Sequence, residues 1–334
     1  MPIETEITKR LGIEYPILQA PMAGGGDTPD MIVAVCEAGG AGSIGGAYLT
    51  PEQITAAAKS IRERTNRSFG VNLFAPMETP PKPADASAAL EKIAPFFKDL
   101  GLDDPVVPES GGFNFDDQLE AALNSGASVF SFTFGIMPGD VISAAKSKGM
   151  FVMGTATTVR EAVDLEKAGV EAVVTQNAEA GGHRGTFSGD FQAGLVGGLS
   201  LIPQVVDAVS IPVVASGGIM DGRGIAAALV LGASAVQLGT AFLTADEAGI
   251  PDVYKDAIMA AEEDQTRITR AFSGRPARGI RNRFLASYED PSNEATILPF
   301  PYQNALTRSM RATAAKQGEA DFLSLWAGQG VRMA

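Results

Sequence analysis

Short apolar runs recur along the first two thirds of the chain and alternate with longer segments whose apolar residues have helical spacing. The runs are rich in Val, Ile, Leu and Phe and lack the polar alternation of a half-exposed strand. They therefore predict strands that are buried on both faces, as in a parallel sheet. Eight such strands are predicted, at residues 16–22, 41–46, 69–74, 128–134, 151–155, 172–176, 212–218 and 235–242.

The segments between these strands begin and end with residues typical of helix termini. Thr50 is a typical N-cap, followed by Pro51 at the first helical position. Gly39 and Gly169 are typical of the position that ends a helix. One helix thus opens at Thr50, and others are predicted at residues 30–38, 116–125, 138–148, 158–168, 199–209 and 223–231.

Eight strand–helix units over residues 1–243 predict an α/β protein with the (β/α)8 fold, a TIM barrel. A doubly wound open sheet is the alternative, but it rarely needs eight units of this regularity. Two segments depart from the repeat. Residues 5–13 predict a short strand and turn leading in, and residues 75–112, rich in proline around a helical 84–100, predict an excursion over one end of the barrel.

The tail after Thr244 is too long for a single closing helix. Its pattern is helical at first, irregular at residues 274–279 and helical again from about 303 to 317. We therefore divide the chain into a barrel at 1–243, a helical cap that could hold the substrate at 244–300, and a C-terminal segment returning to the barrel at 301–334.

Composition narrows the classes of function. The net charge of −13 argues against a nucleic-acid or anionic-membrane partner. The single cysteine, Cys36, excludes an internal disulfide and lies on an apolar helical pattern, so packing is expected. No signal peptide or membrane span is expected, and we predict a cytoplasmic protein. With one histidine, one cysteine and no calcium-loop spacing, no metal site is predicted.

The only histidine, His183, lies in a glycine-rich stretch at residues 178–187, directly after the sixth predicted strand. Histidine is the usual proton-transfer side chain near neutral pH. Gly181 and Gly182 would let the backbone approach a ligand closely. A flexible surface loop is the alternative, but active sites of barrels lie at the carboxyl ends of the strands, which favours a catalytic role.

Glycine turns also follow the seventh and eighth strands, at Ser216-Gly217-Gly218 and Gly239-Thr240. Barrels commonly hold a phosphate at these two positions, through backbone N–H groups and helix N-termini. Ordinary helix-start glycines are the alternative. Neither turn has the P-loop or GxGxxG spacing, so a nucleoside triphosphate or a Rossmann-type cofactor is not indicated.

The other strand ends would suit a flavin mononucleotide. The amides of Asn72 and Gln176 can hydrogen-bond the edge of a flavin ring, and Met22 can pack on its face. A sugar phosphate would fit the same phosphate site. Enzymes of sugar phosphates, however, commonly bring a lysine or carboxylate to the strand ends, and these eight strands bring neither.

Taken together, these motifs resemble those of the nitronate monooxygenases, also called 2-nitropropane dioxygenases, and the histidine motif is similar to that of class I. The match covers nearly the whole chain. It includes Gln-Ala-Pro-Met-Ala-Gly-Gly at 19–25, Glu-Ala-Gly-Gly-His-Arg-Gly at 179–185, and further matches at 70–74, 215–219, 232–242, 301–304 and 325–330.

The resemblance implies an enzyme that uses FMN and O2 to oxidise alkyl nitronates to carbonyl compounds and nitrite, through a flavin semiquinone. It implies that His183 is the base that takes the α-proton from a neutral nitroalkane. A detoxifying role and a monomer or homodimer are expected. The residues implied to hold FMN are Ala20, Pro21, Met22, Asn72, Gln176, Gly181, Gly182, Ser216, Gly217, Gly218, Gln237, Gly239 and Thr240.

One position departs from the pattern of similar proteins. These often carry a second histidine after the fourth strand, in a Ser-Phe-His-Phe-Gly motif, where this chain has Thr133. Thr133 is thus expected in the substrate pocket, with a consequence for neutral substrates. Tyr302 and Tyr254 are further candidates for that pocket, with packing as the alternative. Trp326 is expected to anchor the tail.

Arg184, next to the histidine, could hold a nitro oxygen or pair with an acid such as Glu179, and the pairing is favoured. Two other functions remain open. Relatives with the same type of barrel are FMN-dependent NAD(P)H reductases of enoyl thioesters or quinones. A non-catalytic barrel that binds flavin or a phosphosugar is the third possibility.

Overall fold

The computed structural model describes residues 3–78, 80–108 and 115–334, so parts of the predicted excursion at 75–112 lie outside the described residues. Within the described residues the strands are β1 (Ile17–Gln19), β2 (Ser43–Gly45), β3 (Gly70–Phe74), β4 (Val129–Thr133), β5 (Phe151–Ala156), β6 (Ala172–Gln176), β7 (Gly182–His183), β8 (Val213–Ser216), β9 (Ala235–Leu238), β10 (Thr266–Thr269) and β11 (Ala277–Ile280).

Eight of these strands form one sheet of parallel neighbours in the order β1-β9-β8-β6-β5-β4-β3-β2. The two end strands meet through a parallel bridge between Leu18 and Ala41. Backbone N–H groups of Gln19 and Ala41 donate across this seam, to Ala41 O at 2.9 Å and Ile17 O at 3.1 Å. The predicted TIM barrel is therefore confirmed, and the open sheet is wrong.

The helices surround this barrel and continue into the tail. They are α1 (Glu6–Leu11), α2 (Pro29–Glu37), α3 (Pro51–Arg62), α4 (Ser87–Asp99), α5 (Phe115–Leu123), α6 (Gly139–Ser147), α7 (Val159–Ala168), α8 (Gly198–Ala208), α9 (Gly222–Val230), α10 (Thr240–Leu243), α11 (Asp252–Met259), α12 (Arg283–Ala286), α13 (Tyr302–Leu306) and α14 (Arg308–Gln317). Thr50 caps α3 as predicted, since its Oγ1 accepts a hydrogen bond from Gln53 N. None of the described helices is long and apolar enough to cross a membrane.

The strand predicted at residues 5–13 is wrong, because this segment forms α1. Its Thr5 side chain caps the helix by accepting a hydrogen bond from Thr8 N, and the helix ends at Gly12. Ile7 and Leu11 pack in one cluster with side chains from the barrel strands, including Leu18 and Val129. A short helix therefore contributes to the barrel core, where the sequence pattern predicted a short strand and turn.

The tail contains a β-hairpin that the sequence did not indicate. β10 and β11 pair antiparallel, and β11 pairs antiparallel with β7, the strand that carries His183. The segment 274–279, expected to be irregular, thus supplies part of β11. A second hydrophobic cluster joins the tail to α4 of the excursion, with Phe96 packed on Phe284 and Phe322. The divisions after residues 243 and 300 stay a prediction.

We expect Ile7→Ala to lower the free energy of unfolding by about 2–4 kcal/mol, because it leaves a cavity in the packed interior. Ile7 is 0% exposed, whereas the nearby Ile3 is 45% exposed. Ile3→Ala is the matched control and should change stability by less than about 0.5 kcal/mol. Urea unfolding of both variants measures the difference. Equal, small effects would show that α1 is not part of the barrel core.

Candidate active site

A cavity of about 640 Å³ opens at the carboxyl ends of the barrel strands and extends under the tail. All thirteen residues predicted to hold FMN lie on its wall, and so do His183, Thr133 and Tyr254. Tyr302 does not line it, because its ring packs in the tail cluster. Lining residues that the sequence reasoning missed are Tyr48, Phe74, Phe134, Asn304, Arg308, Arg311 and Trp326.

The turn after β8 leaves no room for side chains. Gly217 has φ +114° and Gly218 has φ +71°, and a Cβ on either would collide with the side chains of Asn177 or Glu179. Among the described residues, the N–H groups of these two glycines have no hydrogen-bond acceptor. Asp221 caps the following helix, α9. The turn therefore presents free backbone donors at the cavity wall, which suits the oxygens of a phosphate.

Gln176 and Asn72, the two amides predicted to bind the flavin ring, differ in their hydrogen bonds. Gln176 lines the cavity but holds the histidine loop, since its Nε2 donates to His183 O at 3.0 Å and its Oε1 accepts from Gly185 N at 2.8 Å. Asn72 Nδ2 donates to Ser131 Oγ at 2.9 Å. That bond leaves the Asn72 carbonyl oxygen as the more available amide group for a ligand.

His183 is fixed by the tail hairpin. Its Nε2 lies 2.8 Å from Ser273 Oγ, and that hydroxyl can donate its one proton to Arg275 O at 3.0 Å. With the serine proton used in this way, Oγ accepts the imidazole Nε2–H. Nδ1 then carries a lone pair and has no partner among the described residues. The geometry therefore favours the Nε2–H tautomer, with Nδ1 as the proton acceptor.

The surroundings keep His183 neutral. Burial is the largest cause, and the positive charges of Arg275 and Arg311 add to it, so the pKa of His183 falls from 6.5 to about 3. Three aromatic rings surround the imidazole, with centroids at 6.0 Å for Phe134, 6.5 Å for Phe300 and 5.5 Å for Trp326. Trp326 thus contacts the candidate base directly, in addition to the anchoring role expected from the sequence.

Phe134 follows β4 directly and has φ +73°, a conformation that costs energy for a residue with a Cβ. Its ring is covered by the guanidinium of Arg275, whose central carbon lies 3.9 Å from the ring centroid. Arg275 also donates to Thr186 O at 2.6 Å. The tail arginine therefore holds the strained end of β4 against the histidine loop.

The cavity wall carries positive charge without a compensating acid. Arg308 and Arg311 line it, and its described lining includes no Asp or Glu. Arg311 donates to the backbone and side-chain oxygens of Asn304, each at 2.9 Å, and to Thr307 Oγ1 at 3.2 Å. An anionic substrate would therefore be attracted to this end of the cavity.

Arg184 differs from its expected pairing. Its side chain is 1% exposed and donates to the carbonyl oxygens of Asn177, Gln176 and Gly194 at 2.6, 3.1 and 3.2 Å. The predicted pairing with Glu179 is therefore wrong, because the loop carbonyls take the guanidinium hydrogens. Tyr254 is likewise held in place, since its hydroxyl donates to Trp326 O at 2.8 Å.

Comparison with known proteins agrees with this arrangement. The family model described as "Nitronate monooxygenase" matches residues 4–334. The chain belongs to the nitronate monooxygenase family. It is 42% identical to a probable nitronate monooxygenase of Staphylococcus aureus (strain Newman), covering 99% of this chain and 93% of the relative. It is 40% identical to the corresponding protein of Staphylococcus saprophyticus, covering 100% and 94%.

Solved structures share the fold. A nitroalkane oxidase from Streptomyces ansochromogenes aligns with a TM-score of 0.89 and 41% identity, over 98% of this chain and 92% of that one. FabK from Thermotoga maritima aligns with a TM-score of 0.75 and 31% identity, over 99% and 90%. This nitronate monooxygenase family member is thus an oxidoreductase, and these matches support the oxidation of nitro compounds.

Because the chain has one histidine, NMR of protein labelled with ¹⁵N-histidine reports on His183 alone. A group with a pKa of about 3 stays neutral at every higher pH, so we expect a neutral Nε2–H imidazole from pH 8 down to pH 5. Ser273→Ala should weaken the preference for that tautomer. A titration midpoint near 6.5 in the unmodified protein would contradict the neutral buried imidazole.

Proposed function

We propose that this protein is an FMN-dependent nitronate monooxygenase, which uses O2 to convert alkyl nitronates to carbonyl compounds and nitrite. The observation that carries the proposal is a cavity whose described wall holds His183 and two arginines and no carboxylate. Such a wall suits an anionic substrate. It also suits a neutral acid that becomes an anion by giving a proton to the imidazole. The cytoplasmic location, the detoxifying role and the monomeric or homodimeric state stay predictions.

The residues present fit FMN. Free backbone N–H groups of Gly217 and Gly218 would hold phosphate oxygens. Asn72 and Gln237 would face the polar edge of the ring system, and Met22 its apolar face. When bound, FMN would supply the electron-accepting chemistry that nitronate oxidation needs, with O2 as the final oxidant.

His183 would act on neutral nitroalkanes. Nδ1 takes the α-proton, the C–H electron pair forms the C=N bond of the nitronate, and the charge moves to the nitro oxygens. An imidazole with a pKa of about 3 is a weak base by itself. The nitronate charge formed beside it raises that pKa, and Arg308 and Arg311 stabilise the anion. Proton transfer therefore depends on the cationic wall.

Thr133 limits the same step. It stands on the cavity wall at the position where similar proteins often carry a second histidine, and a hydroxyl does not accept a proton near neutral pH as an imidazole does. A nitronate needs no deprotonation. We therefore propose nitronates as the better substrates and nitroalkanes as slower ones.

The reductase remains the second candidate function, because the resemblance includes FMN-dependent reductases and the fold is shared with FabK. Oxygen consumption with propyl-2-nitronate, in the absence of nicotinamide, tests the monooxygenase. Rapid bleaching of the flavin by NADH or NADPH would overturn it in favour of the reductase.

His183→Asn should reduce kcat/KM for a neutral nitroalkane by about 10²- to 10⁴-fold, the usual contribution of a general base. The value for the corresponding nitronate should stay within about threefold, since that substrate has no proton to lose. An oxygen electrode measures both. Equal losses on the two substrates would show that His183 does not act as the base.

Arg308→Met should reduce kcat/KM for a nitronate by about two- to fivefold, because an exposed charge contributes modestly in water. The value for the neutral nitroalkane should fall as well, because the same charge stabilises the nitronate that deprotonation creates. Lys316→Met, which removes a cation from the exposed end of the same helix, is the matched control. A loss as large with Lys316→Met as with Arg308→Met would argue that Arg308 does not act from the cavity wall.

A further inference from the structure

The seam between β1 and β2 is the weakest junction of the barrel. These strands stand at the two ends of the sheet order and share a single bridge, between Leu18 and Ala41. Beyond it, the N–H groups of β2 bond to side chains from the β1 arm. Ser43 N donates to Gln19 Oε1 at 2.9 Å, and Gly45 N donates to a carboxylate that follows the β1 turn.

That carboxylate belongs to Asp27. Its Oδ2 accepts two backbone hydrogen bonds, from Gly45 N at 2.6 Å and from Met22 N at 3.0 Å. One oxygen therefore ties the end of β2 to the turn after β1. The junction is tight, since a Cβ on Gly45 would lie 2.8 Å from Oδ2.

The turn held by Asp27 forms part of the cavity wall. Met22, Ala23, Gly24 and Gly26 all line the cavity, whereas Asp27 itself lies behind them. The carboxylate thus contacts no ligand directly and acts through the backbone of the turn. It is the group that decides where Met22 stands relative to a bound flavin.

We propose that Asp27 is a positioning residue for the cofactor, which closes the seam between β1 and β2 and holds the Met22 turn against the flavin. The inference rests on the proposed FMN cofactor. It requires the ionised carboxylate, because a single charged oxygen that accepts two N–H bonds holds them more strongly than a neutral one.

Burial raises the pKa of Asp27 from 3.8 to about 6, and the bonds from Met22 and Gly45 oppose that rise. No ionised neighbour is a cause of the shift. Titratable or charged groups on the neighbouring segments include Asp30 on α2, Asp246 and Glu247 in the segment after α10, Lys255 on α11 and Tyr48 after β2.

The sign of the pH effect differs between stability and cofactor binding. A carboxyl whose pKa is higher in the folded protein favours folding most below its unfolded value of 3.8, and that contribution is lost as the pH rises through about 6. Flavin binding, which needs the ionised form, should weaken as the pH falls through the same range. A purely structural role of Asp27 would not produce these opposite trends.

The test measures flavin dissociation constants by fluorescence titration at pH 5.5 and pH 8, with riboflavin beside FMN because the FMN phosphate itself takes up a proton near pH 6. The proteins are the unmodified chain, Asp27→Ala, Asp27→Asn and, as the matched control, Asp30→Asn. Asp30 is an exposed carboxylate in the first turn of α2, close to Asp27 in the sequence, and pairs with Arg64.

For the unmodified chain we expect riboflavin to bind about fourfold more weakly at pH 5.5 than at pH 8, because a carboxyl with a pKa of about 6 is about one quarter ionised at pH 5.5. Asp30→Asn should behave alike. At both pH values, Asp27→Ala should bind riboflavin about tenfold more weakly than the unmodified chain does at pH 8, because two buried N–H groups lose their acceptor. Asp27→Asn keeps only a neutral acceptor and cannot ionise, so it should bind at least about fourfold more weakly than the unmodified chain at pH 8 and show no pH dependence.

Two results would overturn the inference alone: Asp27→Ala that is folded and binds flavin normally, or Asp27→Asn with the same pH dependence as the unmodified chain. The second result decides the matter even if Asp27→Ala does not fold. An unmodified chain that binds neither flavin would overturn the proposed cofactor together with this inference. None of these measurements uses a nitronate, so they do not depend on the proposed substrate.

Discussion

The pairing of two short strands, Gly182–His183 and Ala277–Ile280, is the interaction on which the site depends. It attaches the tail to the loop after β6 through the backbone, and Arg184 N extends it with a bond to Pro276 O at 2.8 Å. Only in this register does Ser273 reach the imidazole and Arg275 reach the ring of Phe134. The barrel supplies the histidine, and the tail supplies the hydrogen bond that sets its tautomer, aromatic neighbours and a neighbouring positive charge.

The fold also explains how an acidic protein has a positively charged cavity. The chain is acidic overall, yet the described cavity wall carries Arg308 and Arg311 and no acid. The acidic side chains near the site are used elsewhere, as in Glu161, whose carboxylate accepts bonds from Thr157, Phe187 and Ser188. Carboxylates such as Glu161 thus bind the N–H groups of loops, and the arginines are left on the cavity wall.

Much of the fold and of the site wall was predictable from local patterns. The eight strands are apolar runs, and the glycine turns follow them directly, so every proposed FMN residue lies on the cavity wall. The errors concern long-range packing. The α1 helix has only six residues, too few for a helical pattern of apolar residues to be recognised. The segment around β11 contains Gly, Pro and Arg, which locally indicate a loop.

The tail shows where a signal was missed. Tyr302 was chosen as an aromatic, but it faces the tail core, whereas Asn304, Arg308, Arg311 and Ala315 line the cavity. Their spacing of four, three and four residues is that of one helical face, so the sequence does contain this stripe. Its direction toward the barrel depends on how the tail folds back, which local periodicity does not encode.

The neutral imidazole and the cationic cavity wall favour different substrates. Arg311 is one of the charges that, after burial, lower the pKa of His183 and weaken it as a base, and together with Arg308 it would stabilise the anion that deprotonation creates. A substrate that arrives already as an anion gains the attraction without the proton transfer. Under the proposed function, with Thr133 in place of a second base, nitronates are therefore better substrates than nitroalkanes, and the difference between them is set mainly by the tail arginines and His183.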